Sequence, residues 1–196
     1  MIGVENIEQS ANGKDAETRL LNSIKDFLFG KNDAFEYIYN STVNDLMAIC
    51  RRYAASHDDA KDILQESYIK IYRNLGKFDI KVPFDGWAKR IAINTAIDHY
   101  RRNIHKTIRS IDNFDIVDEE EVFVSSELLN CNIGKVMQAI QELPDGYRII
   151  LNLFVMEKKS HKEIAEILNI SESTSRSQLT KARKTLKARF ENESGL

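Results

Sequence analysis

The sequence predicts an all-α protein: two small helical domains joined by an acidic linker, the second carrying a helix-turn-helix. Three observations predict it. Apolar residues recur at three- and four-residue spacing through most of the chain, and no strand-like alternation outcompetes that period. Two prolines and eight glycines in 196 residues are too few for the many tight turns of an all-β fold. From Ser110 to Asn130 there is no Lys or Arg, whereas Asp112, Asp115, Asp118, Glu119, Glu120, Glu121 and Glu127 are acidic.

Residues 1–15 are polar and aperiodic, which predicts a disordered tail. The first domain then runs over residues 16–106. In Ala16–Phe29, Leu20, Leu21, Ile24, Phe27 and Leu28 form an amphipathic helix that Gly30 ends, and Asp33 is placed to cap the next one. There Phe35, Ile38, Val43, Leu46 and Ile49 are the apolar positions leading to Tyr53, and Ser56 to Asp59 supply a turn and cap. Asp59–Leu75 buries a stripe of Ile63, Leu64, Tyr68, Ile71, Tyr72 and Leu75. Its other side lines up Asp62, Gln65, Glu66, Ile69 and Arg73, and an exposed Ile69 among polar groups favours a protein contact.

Gly76 to Pro83 is a loop holding Lys77, Phe78 and Lys81. The helix Phe84–Asn103 is apolar on two sides, through Phe84, Ala88, Ile91 and Ala92 and through Ile93, Ala96, Ile97 and Tyr100. Arg90, Asn94, Asp98 and Arg101 remain as a narrow polar stripe, so the helix packs between neighbours or stacks apolar groups such as bases. Residues 107–131 are the acidic linker, with Ile111, Phe114 and Phe123 among its apolar anchors.

The second domain covers residues 132–191. Ile133–Leu143 is a helix stopped by Pro144, and Asp145–Glu157 a second with Tyr147, Ile150, Leu151 and Phe154 inward. His161–Leu168 follows as a short helix on Ile164, Ala165 and Leu168. Asn169 accepts the left-handed conformation that stops it, Ile170 drops between the helices, and Ser171 caps the next. Ser175, Leu179, Ala182 and Leu186 form that helix's inner side; Ser173, Arg176, Ser177, Thr180, Lys181 and Lys184 face out. A short helix, a tight turn and a second helix with a basic outer face is a helix-turn-helix, whose second helix reads the major groove. Arg176 suits guanine, the hydroxyls suit bases or phosphates, and the lysines suit phosphates.

A net charge of −2 hides this pattern, because basic residues concentrate on both sides of the acidic linker. No apolar run approaches the ~20 residues of a membrane span. The start of the chain has no basic region followed by an apolar core, so no leader is expected. Cys50 and Cys131 are far apart and read as reduced thiols. The four histidines are scattered, and no HExxH, GxxxxGK[ST], GxSxG or paired CxxC occurs. The residues therefore predict a binder rather than an enzyme, with no metal, no cofactor and no small-molecule substrate.

The segments AFEYIYNSTVNDLMAICRRY, DDAKDILQESYIKIYRNLGKFD, FDGWAKRIAINTAIDHYRRN and ELPDGYRIILNLFVMEKKSHKEIAEILNISESTSRSQLTKARKTL cover most of residues 17–190. In their content and order the chain resembles a bacterial sigma factor of the extracytoplasmic-function group, the two-domain form of the sigma-70 family. The resemblance implies that Asp62, Gln65, Glu66, Ile69 and Arg73 dock on the clamp helices of the largest subunit of core RNA polymerase. It implies that Lys77, Phe78 and Lys81, with Arg90, Asn94, Arg101 and Arg102, hold the melted minus-ten element of promoter DNA. Ser173, Arg176, Ser177, Thr180, Lys181 and Lys184 would read the minus-thirty-five element as duplex, beside the polymerase flap. It further implies a cytoplasmic site of action and an anti-sigma partner able to hold the protein at the inner membrane. The alternative from the residues alone is a helix-turn-helix regulator that binds duplex DNA unaided. Three positions depart from the family pattern. Asn169 replaces a glycine, Ser175 stands where Val or Ile is common and predicts looser packing, and Gln178 stands where a basic residue is frequent.

Overall fold

The structure, a computed structural model, describes residues 5–107 and 133–194, and every regular element among them is helical. The first unit holds α1 (Glu5–Leu28), α2 (Ala34–Tyr53), α3 (His57–Asn74) and α4 (Phe84–Thr107). Their apolar stripes meet in a core of Ile24, Ile38, Leu46, Ile63, Ile71, Leu75, Ala92 and Ala96. α2 lies at the centre and touches α1, α3 and α4. Its Thr42 hydroxyl reaches the Tyr68 hydroxyl of α3 at 2.9 Å, so this buried polar pair is satisfied within the core. Gly30 closes α1 at φ 92°, where a side chain is strained. The Ser56 hydroxyl caps α3 by accepting the Asp59 amide at 3.0 Å.

The second unit holds α5 (Ile133–Gln141), α6 (Asp145–Leu151), α7 (His161–Leu168) and α8 (Glu172–Ser194). After Leu151 the chain runs on through a wider π turn, Asn152–Met156, that leads toward α7. Ile140, Ile149, Ile150, Leu153, Ile164, Leu168, Leu179 and Ala182 fill the core. α7 starts in a full capping box: Ser160 accepts the Glu163 amide while the Glu163 carboxylate accepts the Ser160 amide. It ends at Asn169, whose φ 55° and ψ 49° are the left-handed values expected of that residue. Ile170 packs against the core, and the Ser171 hydroxyl accepts the Thr174 amide at 3.0 Å. The turn between reading helices is thus built as its residues predict.

The two units meet where α2 ends. The Asn152 side-chain amide donates to the Arg52 carbonyl at 2.8 Å, and that of Gln141 to the Arg51 carbonyl at 3.3 Å. Arg148 Nε donates to the Tyr53 carbonyl at 3.3 Å.

Several expectations are corrected. α1 begins at Glu5, so the tail expected over residues 1–15 is helical from there onward. Glu8, Gln9, Ala11 and Lys14 are good helix formers without an apolar face, which periodicity cannot detect, and they extend a helix already nucleated. α4 runs to Thr107 rather than Asn103. The expected linker lies, apart from Thr107, outside the described residues. Asp33 precedes α2 but its side chain makes no capping bond.

Substituting Asn169 tests the turn. Asn169→Val places a β-branched residue at a left-handed position and is expected to cost about 1–2 kcal/mol in denaturant unfolding of the full chain. Asn169→Gly is expected to be neutral or slightly stabilising.

Candidate nucleic-acid and protein-contact surfaces

The outer side of α8 carries the residues singled out for duplex reading. Ser173, Arg176 and Lys184 are exposed, and Ser177, Thr180 and Lys181 are half-buried. Arg176 is held to Glu172 at 2.6 Å, one turn earlier on the same helix. Ser177 and Thr180 donate to the carbonyls of Thr174 and Arg176 at 3.1 and 3.2 Å, which leaves their oxygens able to accept from a ligand. On the inner side, the fully buried Ser175 is 2.9 Å from His161 Nδ1 of α7. The His161 ring stacks on Phe154 with centroids 4.8 Å apart, and the Arg183 guanidinium lies 5.5 Å from the same phenyl. The looser packing expected of Ser175 is therefore corrected: a polar pair locks the two reading helices where an aliphatic contact was expected. Burial and the nearby Arg176 hold the His161 imidazole below its ordinary range.

The loop and α4 form the second basic surface. Lys77, Lys81, Arg90 and Asn94 are exposed along it. Phe78 is not. Its ring sits in an aromatic trio, 5.4 Å from Phe84 and 5.1 Å from Trp87, so the stacking role expected of it is corrected to an anchor of the loop. Trp87 was not singled out from the sequence; it pins the start of α4 to that loop. Asp79 shapes the exposed tip, accepting the Lys81 amide at 3.0 Å.

The far end of α4 is tied to its surroundings. Arg102 reaches Glu66 of α3 at 2.7 Å, and Lys70 bridges Glu66 and Asp98 at 3.2 Å each. The Arg102 bond, then Lys70, holds the Glu66 carboxyl below the usual carboxylate range. Arg101 lies 3.7 Å from Asp98 and donates to the Ile167 carbonyl of α7. Glu66, placed by sequence on a protein-contact face, and Arg102, placed on a DNA face, are thus bonded to each other.

The α3 face is an apolar groove of about 600 Å³ against α2, lined by Phe35, Tyr39, Met47, Gln65, Ile69 and Tyr72. Lys61 and Arg73 also border it, and Asp62 is exposed on the same helix. Tyr72, expected inward, is 46% exposed because Phe27 and Phe35, each 5.0 Å away, hold its ring at the groove wall. With Ile69 at 44% exposure, the floor is apolar and open.

Comparison with known proteins gives the same division. Residues 38–105 match the family model Sigma-70 region 2, and residues 133–186 match Sigma-70, region 4. The ECF RNA polymerase sigma factor SigW of Bacillus subtilis is 30% identical over 184 residues, covering 87% of this chain and 96% of that protein. The ECF RNA polymerase sigma-E factor of Haemophilus influenzae is 29% identical over 175 residues, covering 83% and 90%. The solved structure of CnrH in complex with the cytosolic domain of CnrY aligns at a TM-score of 0.46 and 21% identity, over 90% of this chain and 98% of that one.

The His161–Ser175 pair generates a pH dependence. A folded imidazole held below its unfolded value favours the neutral form. Its stabilising contribution is complete above the unfolded pKa of ~6.5 and is lost as pH falls through the folded value. The stability difference between the wild type and His161→Gln, read by urea unfolding, is expected to shrink between pH 7.5 and pH 5. A difference that grows on acidification contradicts this.

Proposed function

We infer how this chain works from one premise: it belongs to the ECF sigma factors of RNA polymerase, within the sigma-70 family. It directs core RNA polymerase to promoters and initiates transcription, and it is not an enzyme. The stand-alone duplex reader is not supported, because regions 2 and 4 of one family occur in order on one chain.

The proposed assignment of surfaces goes further. The α3 groove with Asp62, Gln65, Glu66, Ile69 and Arg73 docks on the clamp helices of the polymerase largest subunit. What supports it is the open apolar floor between polar and charged rims, which a partner helix bearing apolar and basic residues would fill. Lys77, Lys81, Arg90 and Asn94 follow the minus-ten strand, and Arg101 and Arg102 join them once released. The outer side of α8, with Ser173, Arg176, Ser177, Thr180, Lys181 and Lys184, reads the minus-thirty-five duplex beside the polymerase flap. The residues 16–106 and 132–191 would be the two working domains. Glu66 then has two partners in turn: a polymerase cation that takes over its carboxylate frees Arg102 for phosphate.

Neither DNA surface suffices alone, since a few phosphates per unit give weak, salt-sensitive binding. Polymerase supplies the missing affinity by fixing both units at promoter spacing. Among the described residues no helix is long and apolar enough to cross a membrane. Action in the cytoplasm, with an anti-sigma partner as the restraint and membrane tethering through it, is part of the proposal.

In run-off transcription with core enzyme, the chain is expected to yield start-site-specific RNA. Gln65→Ala with Ile69→Ala is expected to weaken polymerase binding about 10-fold or more, at ~1.4 kcal/mol per decade. Arg176→Ala is expected to leave polymerase binding unchanged and to lower transcription through the upstream element. No RNA from any genomic promoter fragment sinks the proposal.

A further inference from the structure

The reading helix α8 is held at two points by a circuit of contacts that begins and ends on it. The fully buried Ser175 hydroxyl meets His161 Nδ1 of α7 at 2.9 Å. The His161 ring stacks on Phe154 of the π turn, 26° from parallel, and the Arg183 guanidinium of α8 lies 5.5 Å from the same phenyl. Ser175 and Arg183 are two turns of helix apart, about 12 Å at ~1.5 Å per residue. Both sides of the bond are anchored. His161 opens α7 directly after the capping box of Ser160 and Glu163. The Ser175 amide donates to the carbonyl of Ser171, the cap of α8, at 3.1 Å. Ser175 also immediately precedes Arg176 and lies between Ser173 and Ser177, all three on the outer side.

We propose that His161 and Ser175 are positioning residues for the upstream promoter element. Their bond fixes the rotation of α8 on α7, and so the direction in which Arg176 and its neighbours meet the bases. This rests on the function proposed above, with α8 as the major-groove reader. Stability does not require a polar pair here. Removing one partner leaves the other without its bond, but replacing both by apolar groups of similar shape is close to neutral. What an aliphatic contact lacks is direction. Packed methyl groups tolerate small rotations and slides, whereas a hydrogen bond weakens steeply as its angle closes. The imidazole cannot swing to follow a displaced hydroxyl, because Phe154, itself met by Arg183, fixes its plane. The consequence falls on the adjacent residue. An arginine reads a guanine by reaching two acceptors at once, so a small rotation of the helix forfeits the contact. The side chains of Ser173 and Ser177 are shorter and less able to follow. The lock therefore acts on which sequence α8 prefers, not on whether α8 folds.

Holoenzyme assembled from the full chain and core polymerase, transcribing a library of genomic fragments with start sites mapped, tests the role. Ser175→Val with His161→Leu is expected to match the wild type in urea unfolding and in polymerase binding. At the upstream base that the wild type selects most strongly, its preference is expected to fall roughly 5-fold or more, the loss of one bidentate contact, while the minus-ten preference stays. A folded double variant with the wild-type upstream preference overturns the proposal, as does equal loss at both elements. Should the double variant unfold, Ser175→Thr and Ser175→Val decide, since they share a shape and differ only in the hydroxyl. The first is expected to keep the upstream preference and the second to lose it; the same preference in both overturns the role. In urea unfolding, a double-mutant cycle of Ser175→Val and His161→Leu is expected to show coupling of about 5-fold in the unfolding constant. Additive effects overturn the bond itself. If the wild type yields no RNA from any fragment, the proposed function fails and the positioning role with it, whereas the cycle still decides the bond.

Discussion

A helix that ends inside a protein must have its last carbonyls satisfied, and α2, the central helix of the first unit, ends between the two units. The groups that satisfy it come from 90 or more residues away. Arg148 is the key among them. Its guanidinium is almost wholly buried, and an unpaired charge there would cost several kcal/mol. The site therefore places its donors with care. Two bonds go to the Gln141 and Leu143 carbonyls at the α5–α6 corner, one to Asp145, and one to Tyr53 at the end of α2. One cation thus shapes the corner of its own unit and offers a bond to the other. Three of those four bonds lie within its own unit, so the α5–α6 corner does not depend on the contact with α2.

Several exposed cations follow the opposite rule. Their backbones sit on well-packed helices, whereas their charged heads are held by exchangeable pairs. Arg176 leans on Glu172, Arg102 on Glu66, and Lys70 divides itself between Glu66 and Asp98. Half-exposed pairs of this kind contribute little, about 1 kcal/mol or less each. A phosphate or a partner's carboxylate can replace such a pair at small cost, with no rearrangement of the fold.

What the sequence made legible was local. The helix-turn-helix could be read because each of its devices is a short-range matter of residue chemistry: Asn169 in the left-handed turn, Ser171 as cap, Leu179 and Ala182 at helical spacing. The stripe of α3 was equally plain. What stayed hidden depends on distant partners or on the lack of a pattern. Nothing in the local pattern marks Arg148 as buried; only the fold brings the carbonyls around it. Phe78 reads as an exposed loop aromatic until Trp87 and Phe84 are seen to enclose it. Ser175 reads as a packing defect until His161 arrives from the preceding helix. The first turns of α1 have propensity but no apolar period, so the signal that locates other helices is absent there.

The joint between the units is apolar and polar at once. Tyr53 and Ala54 at the end of α2 belong to the same buried apolar cluster as Ala139, Ile140 and Leu143 of the second unit. Beside them the carbonyls of Arg51, Arg52 and Tyr53 are satisfied by Gln141, Asn152 and Arg148. The two parts contribute differently. Parting the units would return apolar surface to water at ~25 cal/mol per Å², whereas each freed carbonyl would exchange its partner for water at a net cost of only about 1 kcal/mol. The apolar part therefore holds the units together, and the directional bonds, with their fixed donors and acceptors, set the register in which they meet.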